Sequence, residues 1–82
     1  MDFVKLTEEL VSALVKNPDM ISVKEFPTEE EGFHHIQVMV DNDDMGALIG
    51  KDGKTAKAIR TIVQASGYLN GNKKIKIDID SF

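Results

Sequence analysis

Two glycines separated by two polar residues, Gly50-Lys51-Asp52-Gly53, form the stretch of this sequence with the clearest chemical potential. Glycine adopts positive φ at little cost and lets a ligand approach more closely than a Cβ would allow. The residues after Gly53 predict a helix, whose first N–H groups lack intrahelical partners and carry the positive end of the dipole. Such a loop can bind an anion such as a phosphate, and Lys51 and Lys54 add positive charge there. We therefore predict a phosphate-binding loop.

Three kinds of phosphate loop compete for this stretch, and their spacing separates them. Gly53-Lys54-Thr55 would end a Walker motif, but Leu48 stands where that motif requires its first glycine, and no strand leads directly into the loop. A dinucleotide-binding fingerprint needs Gly-x-Gly-x-x-Gly after a strand, which is missing. What remains is a Gly-x-x-Gly connection between two helices. The same glycines would also suit a tight corner between helices that binds nothing, and spacing alone leaves both interpretations open.

Helical spacing of apolar residues predicts an amphipathic helix at the start of the chain. Asp2 or Thr7 is the expected cap, and Asn17-Pro18 is the expected end, because the residue before a proline is disfavoured in the α region. The predicted apolar stripe of this helix consists of Phe3, Leu6, Leu10, Ala13 and Leu14. The helix is expected to bury this stripe against the rest of the domain.

Two further helices are predicted on either side of the glycine loop. A short one from Met45 to Ile49 is capped by Asn42 or Asp43, and a longer one begins after Gly53 and ends at Gly67 as its C′ residue. The longer helix has an apolar stripe of Ala56, Ile59, Ile62 and Val63, with Lys54, Lys57, Arg60 and Gln64 on or near the opposite face.

Alternating residues predict three strands, 21–26, 33–40 and 74–80. The acidic run Glu29–Glu31 is expected to lie in a solvated hairpin loop between the first two. Ile36 and Val38 are expected to be core, and Tyr68 and Leu69 are expected to pack beneath the last strand. The order is helix, strand, strand, helix, helix, strand. It predicts a single α+β domain over residues 1–82, with a three-stranded mixed sheet and three helices packed on one face.

The charge of the chain is unevenly distributed. The formal net charge is −4, but residues 1–45 hold 11 acidic and 3 basic side chains, whereas residues 46–82 hold 3 acidic and 7 basic ones. Because salt screens charges over roughly 8 Å, a local basic strip can attract phosphate despite an acidic remainder. The glycine loop lies in the basic half. That half has only two aromatic residues, Tyr68 and Phe82, which argues against tight generic binding of single strands.

Several other functions find little support in the sequence. No cysteine is present, and His34 and His35 point to opposite faces of one strand, so we expect neither a metal site nor a cofactor. The run Asp41–Asp44 lacks the glycine and the glutamate of a calcium loop, and no catalytic constellation has a recognisable spacing. The first residues lack a signal-peptide pattern and no apolar run is long enough to span a membrane, so we expect a cytoplasmic protein that is not an enzyme.

The element order around Gly50-Lys51-Asp52-Gly53 resembles a type II KH domain, the bacterial arrangement of that RNA-binding module. Ile49 before the loop, Lys54-Thr55 after it and Ile59-Arg60 along the helix resemble the longer KH pattern. The chain is similar throughout to the small bacterial KhpA family. This resemblance implies an RNA-binding protein that acts as a homodimer or with a larger KH protein, KhpB or Jag, in control of cell elongation and division.

The resemblance also implies which residues bind single-stranded RNA. Gly50 and Gly53 would permit close approach of the RNA backbone, and the lysines and Arg60 would bind its phosphates. Thr55 would offer its backbone N–H, and Ile49 and Ile59 would form the bottom of an apolar groove. Asp52 would partly cancel the charge of Lys51, so weak and salt-sensitive binding is expected. The expected RNA-binding residues are Ile49, Gly50, Lys51, Asp52, Gly53, Lys54, Thr55, Lys57, Ile59 and Arg60. The alternative is a dimerisation module with little RNA binding of its own.

Overall fold

The computed structural model describes all 82 residues, and its helices and strands have the predicted order. The helices are α1 (Phe3–Ser12), α2 (Met45–Ile49) and α3 (Lys54–Leu69), and the strands are β1 (Ser22–Phe26), β2 (Phe33–Val40) and β3 (Lys74–Ser81). Three short 3-10 turns, Pro18–Met20, Asn42–Asp44 and Lys51–Gly53, lie in the connections. No helix combines the length and the apolar character needed to cross a bilayer.

The three strands form one mixed sheet in the order β1-β2-β3. β1 and β2 are antiparallel, and β2 and β3 are parallel, as predicted from a hairpin followed by a helical crossover. Because side chains alternate along a strand, one face is apolar and packs against the helices. The buried apolar residues of the whole domain are Phe3, Val11, Ile36, Val38, Val40, Leu48, Ala56, Ile59, Val63 and Ile77. The predicted α+β fold, with helices on one sheet face, is confirmed.

The first helix is shorter than predicted and turns a different face inward. α1 ends at Ser12, well before Asn17-Pro18, because the chain forms a tighter turn there. In this turn the N–H of Leu14 donates a hydrogen bond to the carbonyl of Val11, three residues earlier. Asp2 caps the helix by accepting a hydrogen bond from the N–H of Lys5 at 3.0 Å. Thr7 is not a cap. It is fully buried, and its hydroxyl donates to the carbonyl of Phe3.

The predicted apolar stripe of α1 was therefore wrong in part. The buried residues are Phe3, Thr7 and Val11, whereas Leu14 is 43% exposed. The reason is that Leu14 lies beyond the end of the helix and no longer continues its inner face. A threonine can occupy the core here because its hydroxyl has a backbone acceptor.

Asp44 holds the end of α1 against the start of α2. Its buried carboxylate accepts hydrogen bonds from the backbone N–H groups of Lys16 at 3.0 Å and Asn17 at 3.1 Å, and from the Asn17 side chain. These hydrogen bonds, led by that from Lys16, outweigh desolvation and lower the pKa of Asp44. The prediction that Asn42 or Asp43 caps α2 was wrong, since no side chain caps this helix. Asp44 instead binds backbone N–H groups that follow α1, far away in the sequence.

The close contact between α3 and β3 depends on Gly67. This residue lies inside α3, where a Cβ would sit 2.6 Å from the carbonyl oxygen of Lys73. The prediction of Gly67 as a C′ residue was wrong, because the helix needs glycine here for packing and continues to Leu69. As a result Tyr68 and Leu69 do not pack beneath β3 and are 54% and 85% exposed. Ile62, predicted to lie in the stripe of α3, is also 48% exposed.

Replacing Gly67 by alanine should destabilise the domain. Overpacking typically costs about 1–3 kcal/mol, which exceeds the gain of up to about 1 kcal/mol from a better helix former. The matched control is Gly46→Ala in α2, where a Cβ meets nothing within 4 Å. Urea denaturation should give a lower midpoint for Gly67→Ala and an unchanged or higher one for Gly46→Ala. Equal effects of the two substitutions would contradict the contact.

Asp44 should make the stability of the domain depend on acidity. Because its pKa is lowered in the folded state, its contribution is present above the unfolded pKa and is lost as the pH falls through the folded pKa. Asp44→Asn should be less stable at neutral pH and should lose less stability than the wild type on acidification. The control is Asp43→Asn, whose exposed side chain makes no hydrogen bond. Urea midpoints measured between about pH 7 and pH 3 test this, and parallel curves for all three proteins would refute it.

Candidate functional site

The glycine loop forms a sharp bend between α2 and α3. Gly50 has φ 75° and ψ 177°, Asp52 has φ 57° and ψ 27°, and Gly53 has φ 74° and ψ 12°. Three of the four loop residues therefore have positive φ, which only glycine adopts freely and which Asp and Asn tolerate better than other residues. Asp52 thus has a backbone role that the sequence interpretation, which considered only its charge, did not detect.

The two glycines of the bend are required for different reasons. A Cβ on Gly50 would lie 2.8 Å from the Cβ of Thr55 and 3.0 Å from its backbone nitrogen, so Thr55 occupies the space a side chain would need. A Cβ on Gly53 would meet nothing within 4 Å. Gly50 is therefore packed closely against Thr55 at the start of α3, while no other group occupies the space beside the backbone of Gly53.

The start of α3 is arranged to accept an anion. Its cap residue is Gly53, no side chain makes a capping hydrogen bond, and no acidic residue lies in its first turn. The helix is 16 residues long, so its dipole is fully developed at this end. Lys51 and Lys54 are exposed beside it. The bend therefore combines an uncapped helix start, an open glycine and two lysines at one place.

A groove that begins one helical turn after the bend, at Lys57, runs along α3 and the outer edge of β3. It encloses about 440 Å³ and is lined by Lys57, Arg60, Thr61, Gln64, Ala65, Tyr68 and Ile75. Gln64 fixes its width, because the side-chain amide donates to the carbonyl of Lys73 and accepts from the N–H of Ile75, both at 2.9 Å. Arg60 donates from Nε to the carbonyl of Ile77 at 3.2 Å. Its two terminal amino groups make no hydrogen bond within the protein.

A second, more apolar groove lies on the other side of α3, against the end of α1. It encloses about 390 Å³ and is lined by Leu10, Ala13, Leu14, Lys54, Thr55, Ala58, Ile59 and Ile62. The predicted site residues are distributed between the two grooves. Lys57 and Arg60 line the groove beside β3, whereas Ile59 is 3% exposed and lies between the core and the apolar groove. Ile49 is 39% exposed and lines neither.

The histidines form two separate pairs with carboxylates. His34 lies 2.8 Å from Glu25 on the helix side of the sheet, and His35 lies 2.6 Å from Asp78 on the open side. The hydrogen bond from His35 is the main cause that lowers the pKa of Asp78. No group of three or more His, Cys, Asp or Glu side chains is close enough together to hold a metal ion. The bend with its two grooves is therefore the strongest candidate for a binding site.

Comparison with solved structures finds the same fold in part of a larger protein. A crystal structure of Aquifex aeolicus Era bound to GDP and aluminium fluoride superimposes with a TM-score of 0.69 and 19% identity, covering 98% of this chain and 30% of that one. A structure of Era with a fragment of 16S ribosomal RNA gives a TM-score of 0.65 at 19% identity. At this identity the likeness concerns the fold, and this chain spans under a third of the length of Era.

Sequence comparison is more specific. The RNA-binding protein KhpA of Oceanobacillus iheyensis is 46% identical over 74 residues, which are 90% of this chain and 95% of the relative. The KhpA of Thermotoga maritima is 33% identical over 75 residues, 92% of this chain and 95% of the relative. The family model described as KhpA/KhpB, KH domain, matches residues 4–79. With the match spanning nearly every element from α1 to β3, including the bend, this chain belongs to the KhpA/KhpB family of KH domains.

Proposed function

We propose that this protein binds short single-stranded RNA and catalyses no reaction. The observation that carries the proposal is the uncapped start of α3 behind the open backbone of Gly53, with Lys51 and Lys54 beside it. The relatives named above are RNA-binding proteins, and the loop that clamps the RNA backbone in KH domains has this Gly-x-x-Gly form. The bend holds phosphates, and the groove along β3 accommodates the bases.

Binding is expected to be weak and strongly dependent on salt. The protein has a formal net charge of −4, so attraction must come from the local lysines and not from the overall field. Asp52 places a carboxylate among these lysines, and its backbone conformation accounts for its presence at that position. Lys57 and the free amino groups of Arg60 extend the positive charge from the bend into the groove. A single domain of this kind contacts about four nucleotides.

Removing the two lysine charges at the bend should weaken RNA binding. Single-strand binding releases about 0.7 counterions per phosphate contact. The double variant Lys51→Gln with Lys54→Gln should therefore make the plot of log K against log salt less steep, by about 1.4. Affinity should fall most at low salt. Fluorescence anisotropy with labelled single-stranded RNA at several salt concentrations measures both quantities.

The matched control changes two lysines away from the bend. Lys5→Gln with Lys24→Gln alters the net charge equally, but these residues lie on α1 and on β1, the strand at the opposite edge of the sheet from β3. This control should keep most of the affinity and the salt slope. Equal losses in the two double variants would mean that only net charge matters, and the loop would have no special role.

A second candidate function is assembly with a partner through the apolar groove between α1 and α3. Leu14 and Ile62 both line this groove and are 43% and 48% exposed. Leu69 lies on the same face of α3 as Ile62, two turns later, and is 85% exposed. Exposed apolar side chains gathered in one place are characteristic of interaction surfaces. We propose that a second copy of this chain covers the groove. A larger KH protein of the KhpB type, acting in the cytoplasm in cell elongation and division control, is the other partner that the family resemblance implies.

A charge placed in the apolar groove should break the assembly. Ile62→Glu and Leu14→Glu would each bury a carboxylate in the contact, so light scattering after gel filtration should report a monomer where the wild type reports a dimer. The control is Met20→Glu, an equally exposed apolar residue outside the groove, which should leave the mass unchanged. A wild-type protein that is monomeric at all concentrations would contradict the self-association.

A further inference from the structure

Tyr68 lies on the wall of the groove between α3 and β3, at the end far from the glycine bend. It is 54% exposed and shares the groove with Lys57 and Arg60. Its hydroxyl makes no hydrogen bond within the protein, and its ring pairs with no other aromatic side chain. An exposed aromatic ring that serves neither the core nor a polar network is therefore available to a ligand.

The backbone at Tyr68 is held in place by contacts that its neighbours on α3 make with the start of β3. Gly67, its neighbour, touches β3 so closely that no Cβ fits, and the N–H of Lys73 bonds the carbonyl of Gly67 at 2.8 Å. One turn earlier, Gln64 joins α3 to the backbone of Lys73 and Ile75. The backbone that carries the ring is therefore held against β3, and Ile75 lines the same groove, so little backbone order is lost when a planar group stacks on the ring.

The face of α3 that lines the groove leads from Tyr68 back toward the bend. Lys57, Arg60, Gln64 and Tyr68 follow one face of α3, and the helix rises about 22 Å between Gly53 and Tyr68 at roughly 1.5 Å per residue. At a spacing of roughly 3.4 Å per stacked nucleotide, about six nucleotides would cover this distance. The positive side chains lie between the two ends, where the backbone of such a strand would run.

We propose that Tyr68 stacks on a base of the same RNA strand whose phosphates are held at the bend. This inference rests on the proposed RNA binding and extends the site beyond the roughly four nucleotides that a Gly-x-x-Gly loop clamps. Aromatic rings bind bases of single strands through their π-faces with little sequence preference. Tyr68 adds length and affinity to the site and no strict base specificity.

The protein contains one tyrosine and no tryptophan, so its intrinsic fluorescence reports on Tyr68 alone. An RNA of about eight nucleotides should quench this fluorescence in the wild type as the base stacks. Tyr68→Leu should lose about 5-fold or more in affinity for this RNA, the low end of one base-aromatic stack, while Tyr68→Phe should keep most of it. The control Phe26→Leu replaces an exposed aromatic residue of β1, at the opposite edge of the sheet from β3, and should bind as the wild type does. Urea midpoints check that all variants are folded.

The outcomes separate the two proposals. If the wild type does not bind the RNA at all, the proposed function fails. If it binds, but without quenching and with the same affinity in Tyr68→Leu, only the role of Tyr68 is overturned. A fluorescence change that follows protein concentration without RNA would place Tyr68 in a contact between copies and would also overturn it.

Discussion

The contact between Gly50 and Thr55 is the constraint on which the binding site depends. Thr55, in the first turn of α3, fills the space where any side chain at position 50 would stand. The two helices can therefore meet only through a glycine with positive φ, and the turn that results directs Lys51, Gly53 and the uncapped start of α3 toward solvent. Two further contacts fix the positions of the helices that meet at this corner. Asp44 ties the beginning of α2 to the end of α1, and Gly67 seats α3 on β3.

The fold also explains how an acidic protein can present a surface for a polyanion. α3 runs antiparallel to β3, since Arg60 bonds Ile77 while Gln64 bonds Ile75. The start of α3 and the start of β3 therefore lie at opposite ends of the molecule, and the acidic hairpin loop adjoins the latter through a bond from Lys74 to Gly32. The molecule extends over 35 Å, several times the roughly 8 Å over which charges act at physiological salt. The charges of this acidic hairpin are thus too far away to cancel those of Lys51 and Lys54, whereas the aspartates of the turn Asn42–Asp44 lie at the same end of the sheet as the bend.

The local pattern predicted the element order, the sheet and the glycine bend, because each depends on residues close together in sequence. What it missed depends on contacts between distant segments. The capping role was assigned to Asn42 or Asp43, and the role of Asp44 was missed because its hydrogen-bond partners are near residue 16. Gly67 looked like a helix end, but the approach of Lys73 requires it. The exposure of Tyr68 follows from that same helix continuing, so the groove beside β3 could not have been identified from periodicity. Asp52 could have been recognised, because aspartate is enriched at positive φ and an Asp-Gly dipeptide marks a turn.

The most direct measurement of the central claim is a titration of isotope-labelled protein with single-stranded RNA, followed through backbone amide resonances. If the bend binds the RNA backbone, the largest shifts occur in the bend and the first turn of α3, from Gly50 to Thr55, and continue along the groove face of α3. Amides of the acidic hairpin, Glu29–Glu31, should hardly move. Shifts confined to the open face of the sheet, with the amides of Gly50–Thr55 unchanged at saturation, would contradict binding at the bend.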